Sequence, residues 1–372
     1  VTYEKALTEL TNRVDSVMSG LYQVGIHSVR LNTRELAELY YNFNNPDTAV
    51  REPLVDFSKL ATMYVKKGDE LHRGDKVVDI KNSKNEIYIS HWWNGYSAVL
   101  DLTNEVARSW IKSQLNFLMT EYGVDGFKLD ACDPEYYVGD VVFKNSNEVS
   151  SQAKIWCEIG EEYRLSELRV GFNNGISSIA HRLRDKNHSW DNDGLNTLIP
   201  NAIALSMLGY PFLCPDMIGG GMVPDFHREG FEFDEELFIR YAQVSSLFPM
   251  IQFSLAPWRC LSKENQKICL RTVEIHNKYL PEIINKINEA KKGIPIIRSV
   301  AFNENDSKYS LINDQFFLGD DLLVCPQVKK EKKRRIILPK GVWVDELGNI
   351  YNEGEHIIDT PLDRLPIFRR GK

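Results

Sequence analysis

A chain of 372 residues with 43% apolar and 26% charged residues has material for about two packed domains and no bias towards wholesale disorder. Its net charge of -7 argues against nucleic acid or an anionic membrane as a partner. The most apolar region, Leu198 to Met222, is interrupted by Pro200, Asn201 and Pro211, so it reads as a core helix followed by a strand and not as a membrane span.

Taken in chain order, residues 1–62 have a character of their own. Leu7, Leu10, Val14 and Met18 recur at helical spacing, and a second helix capped by Thr33 follows, with Glu35 and Glu38 in its first turns. Lys66 to Asn85 reads as loop or hairpin, and the aromatic run Ile87 to Trp93 as a strand. A helix is expected from about Asn104 to Tyr122, with Val106, Trp110, Leu115 and Leu118 on its apolar side. The apolar stretch Val124 to Asp130 then follows as a buried strand.

Further alternation gives helix 150–160, strand 168–172, strand 179–185, helix 195–208, strand 211–215, helix 235–246 and strand 250–254. A long amphipathic helix covers about Lys263 to Lys291. Six candidate strands between Ile87 and Ser254 imply an α/β fold, a (β/α)8 TIM-type barrel lacking its first strands. Beyond Gly293, short strands with turn signals such as Lys340-Gly341 and Leu347-Gly348-Asn349 predict a C-terminal β-sandwich-like domain. The predicted domains are therefore 1–62, 63–292 and 293–372. The basic run Lys329 to Arg335 lies between apolar runs and reads as a solvated hairpin connection.

The strand ending at Asp130 carries Lys128 and Asp130 on one face and Phe127 and Leu129 on the other. Charges on the inward face of a strand are costly unless paired, so the reading divides between a structural ion pair and a catalytic group. Other strand ends supply Trp93 or Asp101, Arg169, Asp185, Asp216 and Ser254. Carboxylates converging with aromatics and an arginine suit sugar chemistry: aromatic faces stack on a pyranose while charged groups bond its hydroxyls.

Several segments resemble glycoside hydrolase family 31 in consistent order over about residues 64–372. They are Trp92-Trp93-Asn94-Gly95, Asp125 to Asp130, Pro215 to Gly220, Glu236 to Arg240 and Asp314 to Asp320. Within the family the likeness is greatest to the myogenesis-regulating glycosidase branch, through Tyr210-Pro211-Phe212, Gln252-Phe253-Ser254 and Pro257-Trp258-Arg259. Residues 1–62 faintly resemble the N-terminal region of VirB4-type conjugation ATPases, but the chain has no Gly-x-x-x-x-Gly-Lys-Ser/Thr phosphate loop.

The family resemblance implies a retaining mechanism in which Asp130 attacks the anomeric carbon and a second carboxyl protonates the leaving oxygen. The branch pattern, with a tryptophan five residues after the acid, selects Asp185. The commoner family spacing, with the acid three residues after a tryptophan, selects Asp193, which also suits a helix N-cap. In a retaining site the two carboxyls stand about 5 Å apart, and an ionised Asp130 would keep its partner in the proton-bearing form. Lys128 would favour the ionised nucleophile. Trp93, Lys128 and Arg169 are implied substrate-binding residues, and Asp216 an implied sugar-hydroxyl ligand. Each has a plainer alternative: Trp93 as core beside Trp92, Arg169 as a partner of Glu167 or a barrel carboxylate, Asp216 as a turn former.

Ser254 stands where many family members have histidine, which implies an α-galactosidase-like preference over plain α-glucosidase specificity. No cofactor and no metal are expected: Asp191-Asn192-Asp193-Gly194 has Pro200 where a calcium loop needs glutamate, and His181 and His188 lack a partner at metal-ligand spacing. There is no Gly-x-Ser-x-Gly nucleophile elbow.

The resulting expectation is a retaining glycosidase acting on terminal α-galactosides or α-glucosides, with transglycosylation as a variant of the same chemistry. A catalytically silent carbohydrate-binding or interaction protein with an opened barrel is the alternative. The partner is an oligosaccharide or glycoside, with no nucleic acid or membrane, and the oligomeric state is open. Six cysteines without Cys-x-x-Cys spacing and the lack of a leader-like N-terminus lead to a cytoplasmic expectation.

Overall fold

A computed structural model describes residues 79–371 apart from Asn94, Ile176 and Asn192. The expected helices and VirB4-type likeness of residues 1–62 lie outside the described residues. The chain divides into two compact units. One contains residues up to Val124 with Cys132–Ile155, and the other contains Asp125–Ala131 with everything from Trp156 onward.

In the first unit, β1 (Ile89–Trp92) and β2 (Gly95–Ala98) form a two-stranded antiparallel hairpin. The expected strand Ile87 to Trp93 is thus no member of the parallel sheet. A link of two residues can join only antiparallel neighbours, and Gly95 supplies the positive φ of 96° that the reversal needs. Helix α1 (Glu105–Tyr122) starts where expected because the Asn104 side chain accepts from the Val106 N–H at 3.1 Å. Its buried positions are Ala107 and Leu115, while Val106 is exposed, so the inward stripe is rotated from the expected one. Asp101, a candidate strand-end group, is buried. It accepts hydrogen bonds from the Thr103 hydroxyl and the Lys144 N–H, which makes it a structural anchor.

The second unit holds a four-stranded parallel sheet in the order β3 (Lys128–Leu129), β4 (Glu167–Leu168), β5 (Ala180–Arg182) and β6 (Leu213–Cys214). The strands are only two or three residues long, much shorter than expected. Met250 to Ser254 contributes one parallel bridge, Ile218 to Phe253, instead of a strand. Helix α2 (Ser150–Glu161) precedes β4. After the sheet come α3 (Leu198–Met207), α4 (Glu235–Ser245) and α5 (Lys263–Asn285), the last stopping short of the expected Lys291. Their inner faces meet in a core that includes Leu198, Leu213, Ile218, Phe238, Tyr241 and Phe248.

From Ile297 the chain builds one six-stranded antiparallel sheet, in the order β11-β10-β12-β9-β8-β7. These strands are β7 (Ile297–Arg298), β8 (Phe316–Leu318), β9 (Leu322–Val324), β10 (Lys333–Asp345), β11 (Ile350–Asp359) and β12 (Ile367–Arg370). Among the described residues this single sheet replaces the expected sandwich. β8 and β9 are buried on both faces: Phe316, Leu318, Leu322 and Val324 join the helical core, while Phe317 and Leu323 pack with Trp343 and Phe368. Lys333, Arg334 and Arg335 of the basic run belong to β10, and Arg334 turns inward to Asp314.

Two side chains of α4 tie the sheet's far loop to the helices. Arg240, fully buried, donates to the Thr360 carbonyl at 2.7 Å and to Gln243 at 2.9 Å, and Gln243 donates to the Leu362 carbonyl at 2.6 Å. Each of these buried polar groups would be expensive to leave unmatched.

Gly126, just before β3, passes close against another backbone segment: a Cβ there would lie 2.3 Å from the Leu165 carbonyl oxygen and 2.5 Å from that of Arg164. Because neither backbone atom can rotate away, Gly126→Ala is expected to destabilise the fold by about 2 kcal/mol or more. Chemical denaturation will measure it, and an unchanged midpoint would refute the close packing.

Candidate active site

All four parallel strands release a charged residue just beyond their C-terminal ends: Asp130 after β3, Arg169 after β4, Asp185 after β5 and Asp216 after β6. That is the end at which a parallel α/β barrel presents its chemistry. Asp130 accepts a 2.7 Å hydrogen bond from Nε of Arg169, and its backbone carbonyl accepts from the Trp156 indole at 3.2 Å. Burial pushes the Asp130 carboxyl up, but the Arg169 hydrogen bond, the Ala131 N–H and the fields of Arg169 and Arg182 outweigh it and hold it below the usual range. Ala131 adopts a φ of 67°, uncommon for a residue with a side chain. The Asp130 side chain is 40% exposed, so it is both ionised and reachable.

Lys128 does not serve Asp130. Its Nζ binds Glu167 at 2.6 Å and Gln252 at 2.8 Å, because Glu167 is its register partner on β4. Arg169 takes the role expected of Lys128, and pairs with the barrel carboxylate Asp130, one of the partners the sequence allows.

The centre of the charged group is Arg182, which sequence reasoning did not single out. It is the last residue of β5 and only 2% exposed. Its Nη1 lies 2.5 Å from Asp185 and 2.9 Å from Asp216, and its Nε lies 3.4 Å from Glu167, an ion-pair contact outside hydrogen-bond geometry. Burial alone would lower the guanidinium pKa, yet Asp185, Asp216 and Asp130 together raise it. A cation three residues before a carboxylate in an extended segment produces no periodic signal. The available clue is that strand alternation puts Ala180 and Arg182 on one face.

Asp216 departs from its expected role as a sugar-hydroxyl ligand. It is 0% exposed, with one oxygen on Arg182 and the other accepting from the backbone N–H groups of Lys186, at 2.6 Å, and Gly221, at 2.7 Å. Burial raises its pKa despite these bonds. Its geometry is that of a brace beneath the loop of Asp185.

That loop is held at several further points. His188 Nδ1 bonds the Gly219 carbonyl at 2.7 Å, its Nε2 accepts from the Asp234 N–H at 3.0 Å, and its ring stacks on Phe233. Asp234, the N-cap of α4, also accepts from the Trp190 indole at 3.0 Å. Asp193 is exposed and caps no helix; its backbone carbonyl accepts from the Asn187 N–H. Trp93 belongs to the first unit, where it is 61% exposed and edge-on to Trp92, so it is not core. Ser254 Oγ donates to the Ile218 carbonyl at 2.8 Å. Among the described residues there is no group of three or more His, Cys, Asp or Glu side chains arranged to hold a metal ion, and no helix is long and apolar enough to cross a membrane.

Short parallel strands ending in opposed charges, with an antiparallel sheet behind them, define an enzyme-type α/β barrel site. Family profiles then specify it: the family 31 TIM-barrel domain of the glycosyl hydrolases matches residues 53–159, and the family's C-terminal domain matches residues 293–372. The chain belongs to glycoside hydrolase family 31. It is 34% identical over 284 residues to the myogenesis-regulating glycosidase of Mus musculus, covering 73% of this chain and 39% of that protein. It is 26% identical over 318 residues to a sulfoquinovosidase of Escherichia coli, covering 78% and 45%. Among solved structures, a sulfoquinovosidase of the family from E. rectale superposes with a TM-score of 0.72 at 21% identity, covering 81% of this chain and 48% of that one. The chain thus spans less than half the length of these relatives.

One buried titratable group lies behind the site. His181 of β5 packs on Tyr210 at 4.4 Å, and burial pushes its pKa from 6.5 down to about 4. An unfolded chain would take up this proton near 6.5, so the contribution is complete above that pH and is lost as pH falls towards 4. Unfolding measured at pH 7 and pH 4.5 is expected to show an acid loss about 2 to 3 kcal/mol smaller in His181→Phe than in the parent. Equal losses would show that His181 is not held neutral.

Proposed function

We propose that this chain carries the catalytic machinery of a retaining α-glycoside hydrolase. The observation that carries the reading is that one buried guanidinium, Arg182, contacts Asp185 and acts electrostatically on Asp130, so two carboxyls of unlike environment share one field. Asp130, kept ionised by Arg169, is the nucleophile. Asp185, on a braced loop, is the acid and then the base. We prefer it to Asp193, which is exposed and remote from any contact with Arg182 in the hydrogen-bond network.

In the first step an Asp130 oxygen bonds to the anomeric carbon as the glycosidic C–O bond breaks, and Asp185 gives its proton to the departing oxygen. The glycosyl ester removes the Asp130 charge. Asp185, now a carboxylate, accepts a proton from water as that water attacks the same carbon, and Asp130 leaves. A sugar hydroxyl in place of water gives transfer by the same path. A protein of similar fold, the cycloalternan-degrading enzyme of Trueperella pyogenes, has been solved in complex with a covalent intermediate, in keeping with the double displacement proposed for this chain.

Arg169 and Lys128 are read as groups near the substrate, and Trp93 as an aromatic platform. Residues 63–292 are read as the catalytic domain, a barrel without its first strands, and 293–372 as its C-terminal support. The substrate is a terminal α-hexoside, with α-galactoside preferred to α-glucoside on the strength of Ser254 and the likeness to the myogenesis-regulating glycosidase.

A panel of aryl α-galactosides and α-glucosides tests this directly. Asp130→Asn is expected to abolish release of the aryl alcohol with the fold intact, and Asp185→Asn to reduce it by about 10²- to 10⁴-fold. Near-normal turnover in Asp130→Asn would overturn the assignment. Saturable sugar binding without turnover by the parent would identify a silent binding protein.

A further inference from the structure

Asp185 follows β5 by three residues, on a loop with no regular structure before the 3-10 turn Leu195–Thr197 that leads into α3. A carboxylate so placed, with a third of its side chain exposed, has many rotamers open to it unless something fixes one. Arg182 does so. Its Nη1 bonds Asp185 at 2.5 Å, Asp216 at 2.9 Å and the Leu183 carbonyl at 3.1 Å, so a single nitrogen fixes the start of the loop, its carboxylate and the brace below it. Asp216 in turn accepts from the Lys186 N–H, immediately after Asp185. The two bonds clamp the acid from both sides.

The charge balance is as specific as the geometry. The charged groups around Asp185 include Arg182 on β5, Asp216 after β6, and Arg184, Lys186 and Asp193 on the same loop; Arg182 further faces Glu167 on β4 and the field of Asp130 after β3. Asp216, fully buried, absorbs part of the positive field that would otherwise fall wholly on Asp185. Resting on the glycosidase reading above, we propose that Arg182 is the positioning residue of the acid and base Asp185. It fixes the orientation of the carboxyl and stabilises the carboxylate left when its proton passes to the leaving oxygen, while Asp216 tempers that stabilisation. Arg182 itself, shielded from solvent, touches no substrate.

The test combines a structural readout with a kinetic comparison. The ¹³C carboxyl signal of Asp185, assigned by its loss in Asp185→Asn, is recorded at one pH in the parent, Arg182→Gln and Arg182→Lys. Removing the cation is expected to displace and broaden that signal as the carboxyl loses its fixed orientation, and Arg182→Lys to recover much of the difference. Should Arg182→Gln fail to fold because Asp216 is left unpaired, Arg182→Gln with Asp216→Asn removes both charges and is expected to show the same displacement. In turnover, the Gln variant is expected to lose about tenfold more activity on phenyl than on 2,4-dinitrophenyl α-glycosides, whose leaving group needs no proton.

An unmoved Asp185 signal in a folded variant, or an equal loss on both leaving groups, would overturn the proposal and reduce Arg182 to scaffold. A parent that turns over no glycoside, in a protein whose Arg182→Gln variant shows the displaced signal, would instead refute the glycosidase reading and leave the coupling of Arg182 to Asp185 supported.

Discussion

Charges withheld from water must be matched by other charges or by hydrogen bonds, and the centre of this protein is arranged around that requirement. Asp130, Glu167, Asp185 and Asp216 face Lys128, Arg169 and Arg182 across the ends of four very short strands. The carboxylates outnumber the cations, and the excess is absorbed by backbone N–H groups, two of them on Asp216. Removing any cation would leave a negative charge with less than it needs. The backbone path from Asp185 to Gly221 follows from the same need, since its N–H groups and loops close onto Asp216 and onto His188.

Much of the architecture is legible from residues alone. Asn104 announces α1 because a side-chain oxygen at that position can accept from an N–H of the first turn, and Asp234 does the same for α4. The alternation of Lys128 and Asp130 with Phe127 and Leu129 marks β3 as a strand with a charged face. Strand lengths are less legible. The segment Ile179 to Asp185 reads as a strand of seven residues, but only Ala180–Arg182 form the strand, because the following backbone turns to meet Asp216.

The errors at the site share one cause. Sequence places a side chain on a face but does not say which neighbour it will find there. Lys128 and Asp130 share a face, yet the parallel register sets Lys128 opposite Glu167 and leaves Asp130 to Arg169. Asp216, in a glycine-rich turn, looks exposed by composition and is completely buried, since the glycines let the turn fold back over it. Arg182 gives no motif at all. Its importance arises from Asp185, three positions later, and Asp216, thirty-four positions later, meeting at one nitrogen.

Helix α4 reaches both ends of this organisation. Its N-cap Asp234 holds Trp190 and His188 of the loop that carries Asp185, and two turns later Arg240 and Gln243 fill the open carbonyls of residues 360–364. The C-terminal sheet and the helical layer are therefore fused by desolvated polar bonds and not merely pressed together by apolar surface. Exchange of that sheet between relatives by recombination would succeed only where the donor loop offers its carbonyls in the same places. A change in either region must therefore preserve its half of these bonds.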